Sequence, residues 1–248
     1  MEKKGFNTDN LHSDRADRPE HGVLHKPVHT SVAYGYDKAK HLAEVFQGKR
    51  QGYNYGRQLN PTVTALQKRI TKMETGLASF GFSTGMAAIS STMLALLKTG
   101  DHVISSSFLF GNTNSFFGTL KRLGIEVSFV DATQAKFVGE AIRENTKIVF
   151  TETIANPVTQ VADLEGIGQI CRNKDLIYIV DNTMTSPFSF QPKNVGASLV
   201  INSLTKYIGG HGNALGGMVT DTGIHKWETF DNIIETYKSE KPELWGIT

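Results

Sequence analysis

From Pro61 onward the chain alternates between two periods of apolar residues. Val63, Leu66, Ile70 and Met73 recur three or four apart, which lines them along one helix face, with Pro61 at the start and Gly76 beyond the end. A short apolar run at 77–82 is followed by short strand-like runs rich in β-branched residues at 102–106, 126–130, 147–151, 176–180, 198–202 and 217–220. Between them lie stretches of helical spacing at 86–98, 113–123, 135–144 and 162–174, and another at 224–237 follows the last run. Short strands separated by helices predict an α/β fold, a mostly parallel sheet with helices on both faces.

Residues 1–60 read differently. They hold five of the eight histidines, several turn formers and little sustained apolar period, and they predict an N-terminal arm or irregular segment ahead of a large domain at 61–248. His21, His25 and His29 recur every fourth residue, the spacing of a metal stripe on a helix face. Gly22 and Pro27 oppose that helix, since an interior proline costs about 3 kcal/mol. The three therefore read as solvated or packing histidines. At the other end the sequence reaches Thr248 without a polar tail, so either the domain ends abruptly or the chain is a piece of a longer protein.

Composition narrows the class. The 248 residues are 39% apolar with 24 glycines, an ordinary globular balance that excludes disorder and collagen-like repetition. Lys and Arg number 26 against 24 Asp and Glu, and a net charge of +2 gives no electrostatic reason to expect nucleic acid or an anionic membrane as partner. The single cysteine, Cys171, excludes an internal disulfide and fits a reducing compartment. The opening MEKKGFNTDN lacks the apolar core of a secretory signal. The longest nearly apolar stretch, 87–97, falls short of the roughly 20 residues of a membrane span and is broken by Ser90, Ser91 and Thr92. The expectation is a cytoplasmic protein.

In an open α/β sheet, ligands sit beyond the C-terminal ends of the strands. Four polar clusters follow strands here: Gly81-Phe-Ser-Thr-Gly85-Met86, Glu152-Thr-Ile-Ala-Asn156-Pro157, Asp181-Asn-Thr183 and Ser203-Leu-Thr205-Lys206. All four are expected at one edge of the sheet. Ser83-Thr84-Gly85-Met86 opens a helix directly after a strand, which suits either a phosphate against backbone N–H groups or an ordinary N-cap. Asp181 ends a buried apolar run, where a carboxylate calls for a cation. Lys206 stands similarly and can act as an amine nucleophile once desolvated. A structural Asp181–Lys206 ion pair is the plain alternative. The S-x-x-K of Ser203…Lys206 and the Y-x-x-x-K spacings at Tyr34 and Tyr237 lack the context their chemistry needs, and read as chance.

Val180-Asp-Asn-Thr183 followed by Ser203-Leu-Thr-Lys-Tyr-Ile-Gly-Gly-His211 closely resembles the pyridoxal-phosphate enzymes of cysteine and methionine metabolism, a group that includes cystathionine γ-synthase, O-acetylhomoserine sulfhydrylase and methionine γ-lyase. The similarity begins near His25. Tyr53-Asn-Tyr55-Gly-Arg57 with Asn60-Pro-Thr62 is similar to the family's tyrosine–arginine segment, and Phe82-Ser-Thr-Gly-Met-Ala-Ala88 to its phosphate loop. The resemblance implies an aspartate-aminotransferase-like fold (fold type I) and pyridoxal 5'-phosphate as cofactor. It implies Lys206 as the residue that holds the cofactor as a Schiff base and shuttles protons, and Asp181 as the partner of the pyridine nitrogen. Gly85, Met86, Ser203 and Thr205 would hold the phosphate, with Tyr55 and Arg57 reaching it from a neighbouring subunit. Asn156 would contact the ring hydroxyl. A homodimer or homotetramer with shared active sites follows.

Two departures accompany the resemblance. The family's ring-stacking tyrosine, in a Leu-Tyr-Gly context, is replaced by Phe110 in Leu109-Phe-Gly111, which keeps stacking and removes the phenol or leaves its role to another group such as Tyr55. Relatives are also considerably longer, so a C-terminal small domain is expected to be absent from this chain. The resemblance implies a trans-sulfuration enzyme acting on a small amino-acid substrate. The expected reaction is γ-replacement on an O-acylated homoserine by a thiol, to which His211-Gly-Asn213 gives weight. The alternatives are C–S elimination by a methionine γ-lyase or cystathionine lyase, and a non-catalytic cofactor-binding or oligomerisation fragment.

Overall fold

The computed structural model describes residues 5–12 and 20–233 of the chain. The described residues fall into two compact units, one ending at Arg69 and the other beginning at Ile70.

In the first unit, α1 (Phe6–His12) and α2 (Ala39–Phe46) are separated by a 3-10 turn (Glu20–Gly22) and extended chain. The expectation of an irregular segment missed α2, whose only buried residue is Val45. His21 takes positive φ in the 3-10 turn, while His25 and His29 lie in non-helical chain. Ala33 and Tyr55 form an isolated antiparallel bridge. Asn60 caps α3 (Pro61–Met73), its Oδ1 accepting the Thr62 N–H at 2.9 Å.

The second unit is built on a seven-stranded sheet in the order β1-β7-β6-β5-β4-β2-β3. Its strands are β1 (Ala78–Phe82), β2 (His102–Ser106), β3 (Glu126–Val130), β4 (Thr146–Glu152), β5 (Ile177–Asp181), β6 (Leu199–Ser203) and β7 (Gly217–Asp221). All neighbours are parallel except β7, which runs antiparallel to both β1 and β6. Since β1 and β6 both oppose β7, they run the same way. The C-terminal ends of β1, β4, β5 and β6 therefore share one edge.

The continuous apolar runs arise because both faces are covered. Ile148, Phe150, Ile177, Ile179, Leu199 and Ile201 join one buried cluster with Ile89 and Met93 of α4 (Gly85–Leu96) and Phe117 of α5 (Gly111–Arg122). The intervening Val149, Tyr178, Val180 and Val200 join another, with Val138 of α6 (Ala135–Glu140) and Ile167 and Cys171 of α7 (Leu164–Asn173). The period of two, with each set buried, is what a parallel sheet between two helix layers requires. Phe117 and Phe150 pack edge to face at 5.2 Å.

Of the stretch expected as a helix over 224–237, residues 224–230 are not α-helical. Asp221 accepts the Gly223 N–H at 2.8 Å and the Trp227 indole N–H at 2.7 Å, which holds the chain in turns through a 3-10 segment (Trp227–Thr229). Helical geometry starts at Asp231, and residues 234–248 lie outside the described set. Among the described residues no helix is long and apolar enough to cross a membrane.

Candidate active site

Two glycines let α4 begin at the shared sheet edge. A Cβ on Gly217 would sit 2.0 Å from the Thr84 carbonyl oxygen, and one on Gly85 would sit 2.7 Å from Ser203 Cβ. The start of α4 thus packs against the ends of β6 and β7 in a way that side chains would block. Thr84 caps the helix, its hydroxyl accepting the Ala87 N–H and its carbonyl the Ala88 N–H, both at 3.0 Å. That leaves the N–H groups of Gly85 and Met86 without an intrahelical acceptor, at the positive end of a 12-residue helix.

In front of this helix start opens a cavity of about 620 Å³. The structure brings together there eight of the ten residues singled out from sequence: Gly85 and Met86, Phe110, Asn156, Asp181, and Ser203, Thr205 and Lys206. Each ends a strand or lies in the segment that follows one. The remaining two, Tyr55 and Arg57, belong to the first unit, where the Arg57 guanidinium lies 4.9 Å from the centre of the Tyr55 ring.

Asp181 closes β5. Its Oδ1 accepts the Thr183 N–H at 2.9 Å, and the Thr183 hydroxyl in turn accepts the Ser203 N–H at 2.8 Å. Burial pushes the Asp181 carboxyl above the usual carboxylate range, while the two hydrogen bonds from Thr183 act the other way. Among the described residues Asp181 forms no ion pair. The structural Asp181–Lys206 pair that the sequence left open is not formed. Lys206 lies in the turn after β6, held by its own backbone: its N–H meets the Ser203 carbonyl at 3.2 Å, and its carbonyl the Gly210 N–H at 2.7 Å. The Thr205 hydroxyl lies 3.2 Å from the Gly216 N–H and 3.3 Å from its carbonyl oxygen.

The cavity also has walls that sequence did not single out. Glu152 ends β4 beside Asp181, its register partner on β5. One carboxyl oxygen accepts the Phe110 N–H at 2.7 Å and the other the Asn156 N–H at 3.2 Å. Burial, with the nearby Asp181 charge, pushes Glu152 up to about 7 against those two bonds. Its place as first residue of the cluster after β4 was the available signal. Ile89, Met184 and Tyr207 add apolar surface, and no pattern in the sequence marks them. Beneath the edge, fully buried Glu74 accepts from Asn182 at 3.1 Å and from Asn202 at 2.6 Å.

These features fit a phosphorylated, aldehyde-bearing aromatic cofactor. Orphan amides at a helix start suit a phosphate, a partly exposed carboxyl without an ion-pair partner among the described residues suits a cationic ring nitrogen, and Lys206 lines the same space. The chain belongs to the Cys/Met metabolism PLP-dependent enzyme family, whose profile matches residues 7–237. It is 37% identical over 221 residues to an L-methionine gamma-lyase of Fusobacterium nucleatum, a match covering 88% of this chain and 56% of that protein. It is 40% identical over 199 residues to a cystathionine gamma-lyase of Bacillus subtilis, covering 80% and 50%. A Campylobacter jejuni structure assigned as an O-acetylhomoserine (thiol)-lyase, which carries N'-pyridoxyl-lysine-5'-monophosphate, superposes with a TM-score of 0.85 at 31% identity, covering 89% of this chain and 54% of that one. The fold is thus that of the pyridoxal-phosphate enzymes, as the sequence resemblance implied. The chain spans about half the length of the curated relatives it matches.

Proposed function

We propose that this chain is the cofactor-binding part of a pyridoxal-phosphate enzyme that exchanges the γ-substituent of an activated homoserine for a thiol. The observation that carries the reading is the meeting of Lys206, Asp181 and the open first turn of α4 around one cavity. In this reading the amides of Gly85 and Met86, with the hydroxyls of Ser203 and Thr205, hold the phosphate. Asp181 faces the ring nitrogen, Phe110 the ring face and Asn156 the ring hydroxyl. Tyr55 and Arg57 reach the phosphate from a second copy, so that the active unit is a dimer or a pair of dimers.

The cofactor supplies an electron sink for charge developed at the substrate's Cα. Asp181 would keep the ring nitrogen protonated, and a bound ring that covers its partly exposed carboxyl would strengthen that interaction by excluding water. Lys206 would hold the cofactor and, as a free amine, would be the base that takes the Cα proton and moves protons along the substrate chain. Phe110 packs without offering a proton, so proton transfer rests on Lys206 or on a group such as Tyr55.

Elimination is the second reading, favoured by the γ-lyases among the relatives. Offering the loaded protein O-acetylhomoserine with a thiol, and methionine alone, separates the two. A thioether amino acid formed without 2-oxobutyrate supports replacement; 2-oxobutyrate and free thiol from methionine overturn it in favour of the lyase. Neither product, from protein that binds cofactor, overturns catalysis by this chain and leaves the binding fragment.

A further inference from the structure

Glu152 is an ionisable group of the cavity wall for which the proposed chemistry has no use. It is 7% exposed and stands in register with a second carboxyl, Asp181. Holding an anion there is costly, and its elevated titration point of about 7 expresses that cost. What it gains is specific. The Phe110 N–H at 2.7 Å precedes α5, and the Asn156 N–H at 3.2 Å follows β4, so one side chain spans the segments that follow β2 and β4. Both groups are donors, and only a carboxylate offers each an acceptor without bringing a donor of its own. A glutamine in the same place would leave an NH₂ facing an N–H.

We propose that Glu152 is a positioning residue whose carboxylate ties the Phe110 segment to the Asn156 turn and so sets both side chains against one bound ring. The proposal rests on the reading of the cavity as a pyridoxal-phosphate site. Glu152 touches neither the phosphate region at Gly85 nor Lys206 through any hydrogen bond among the described residues, so its effect passes through Phe110 and Asn156.

Two measurements on the full chain test it, with Glu152→Gln beside Glu152→Ala in case the alanine variant does not fold. The first is amide hydrogen exchange in cofactor-free protein. Exchange at Phe110 and Asn156 should rise together by about tenfold in Glu152→Ala, the equivalent of about 1.4 kcal/mol, and by a smaller factor in Glu152→Gln. The second is the dissociation constant for pyridoxal phosphate, read from the visible band of folded protein. It should weaken about tenfold and about threefold in the two variants, with the band shifted from its wild-type position. A purely structural glutamate would lower the melting temperature and leave affinity and band unchanged. Wild-type exchange at the two amides, or wild-type affinity in both variants, overturns the positioning role. Failure of the wild-type chain itself to bind pyridoxal phosphate overturns the cofactor reading, and the positioning with it, before any variant is compared.

Discussion

The two ends of the same parallel strands carry buried polar groups of opposite kinds. At the N-terminal ends of β2, β3 and β4, fully buried His102 has both ring nitrogens engaged, Nδ1 with the Thr146 hydroxyl at 2.8 Å and Nε2 with the Ser128 hydroxyl at 2.9 Å. Arg143 pairs with Glu126 and donates to Ser128, and burial together with the Arg143 charge holds His102 below its usual pKa. The cluster closes on itself. At the C-terminal ends, among the described residues, Asp181 has no ion-pair partner, the N–H groups of Gly85 and Met86 have no intrahelical acceptor, and Lys206 lines a cavity. Polar groups that serve only the fold satisfy one another; those left open at a cavity await something else.

That contrast yields predictions that can break it. The largest effect belongs to Asp181→Asn. Cofactor affinity should fall on the order of a thousandfold, about 4 kcal/mol, while chemical unfolding of cofactor-free protein shows no loss, since a carboxyl without an ion-pair partner is replaced by an amide that can still accept the Thr183 N–H. A marked loss of stability would place Asp181 with the closed kind.

Glu74 sharpens the comparison from beneath the open edge. Burial pushes its carboxyl from 4.5 up to about 7, opposed by hydrogen bonds from Asn182 and Asn202. The folded chain therefore keeps a proton that the unfolded chain releases between these values. Wild type should lose stability relative to Glu74→Gln as pH rises through that window, by about 3 kcal/mol in all. Denaturant unfolding at both ends of the window measures it, and a difference constant with pH would contradict it.

His102→Ala should cost about 2 kcal/mol of stability by taking one hydrogen-bond partner from each of Thr146 and Ser128, which keep their bonds from Arg143, yet leave cofactor affinity unchanged; a change in affinity would couple the two edges. Smallest is Gly85→Ala. Its Cβ, 2.7 Å from Ser203 Cβ, displaces the end of β6 from α4, and cofactor titration should show about a fivefold weaker affinity, near 1 kcal/mol.

Much of this was legible in the sequence because the signals are local. Strands buried on both faces read as unbroken apolar runs, and each polar cluster directly follows its strand. Their place after Leu-Ile-Tyr-Ile-Val and after β6 was enough to put Asp181 and Lys206 at the sheet edge, while position alone left a structural ion pair open and their roles came from the resemblance. What was not legible depends on distant partners. Glu74 is held by amides 108 and 128 residues away, and Glu152 by an N–H 42 residues away. The antiparallel setting of β7 between β1 and β6 has no local mark either. Over 224–230 a helical period was overridden by Asp221 gathering two donors.

The central claim is that Lys206 opens on a site built for pyridoxal phosphate. Its most direct test is borohydride reduction of the chain with pyridoxal phosphate, followed by peptide mass analysis, beside a Lys206→Ala variant shown to be folded. One pyridoxyl group on the peptide containing Lys206, absent from the variant, is the predicted result. Labelling scattered over exposed lysines, or equal labelling of the variant, would contradict it.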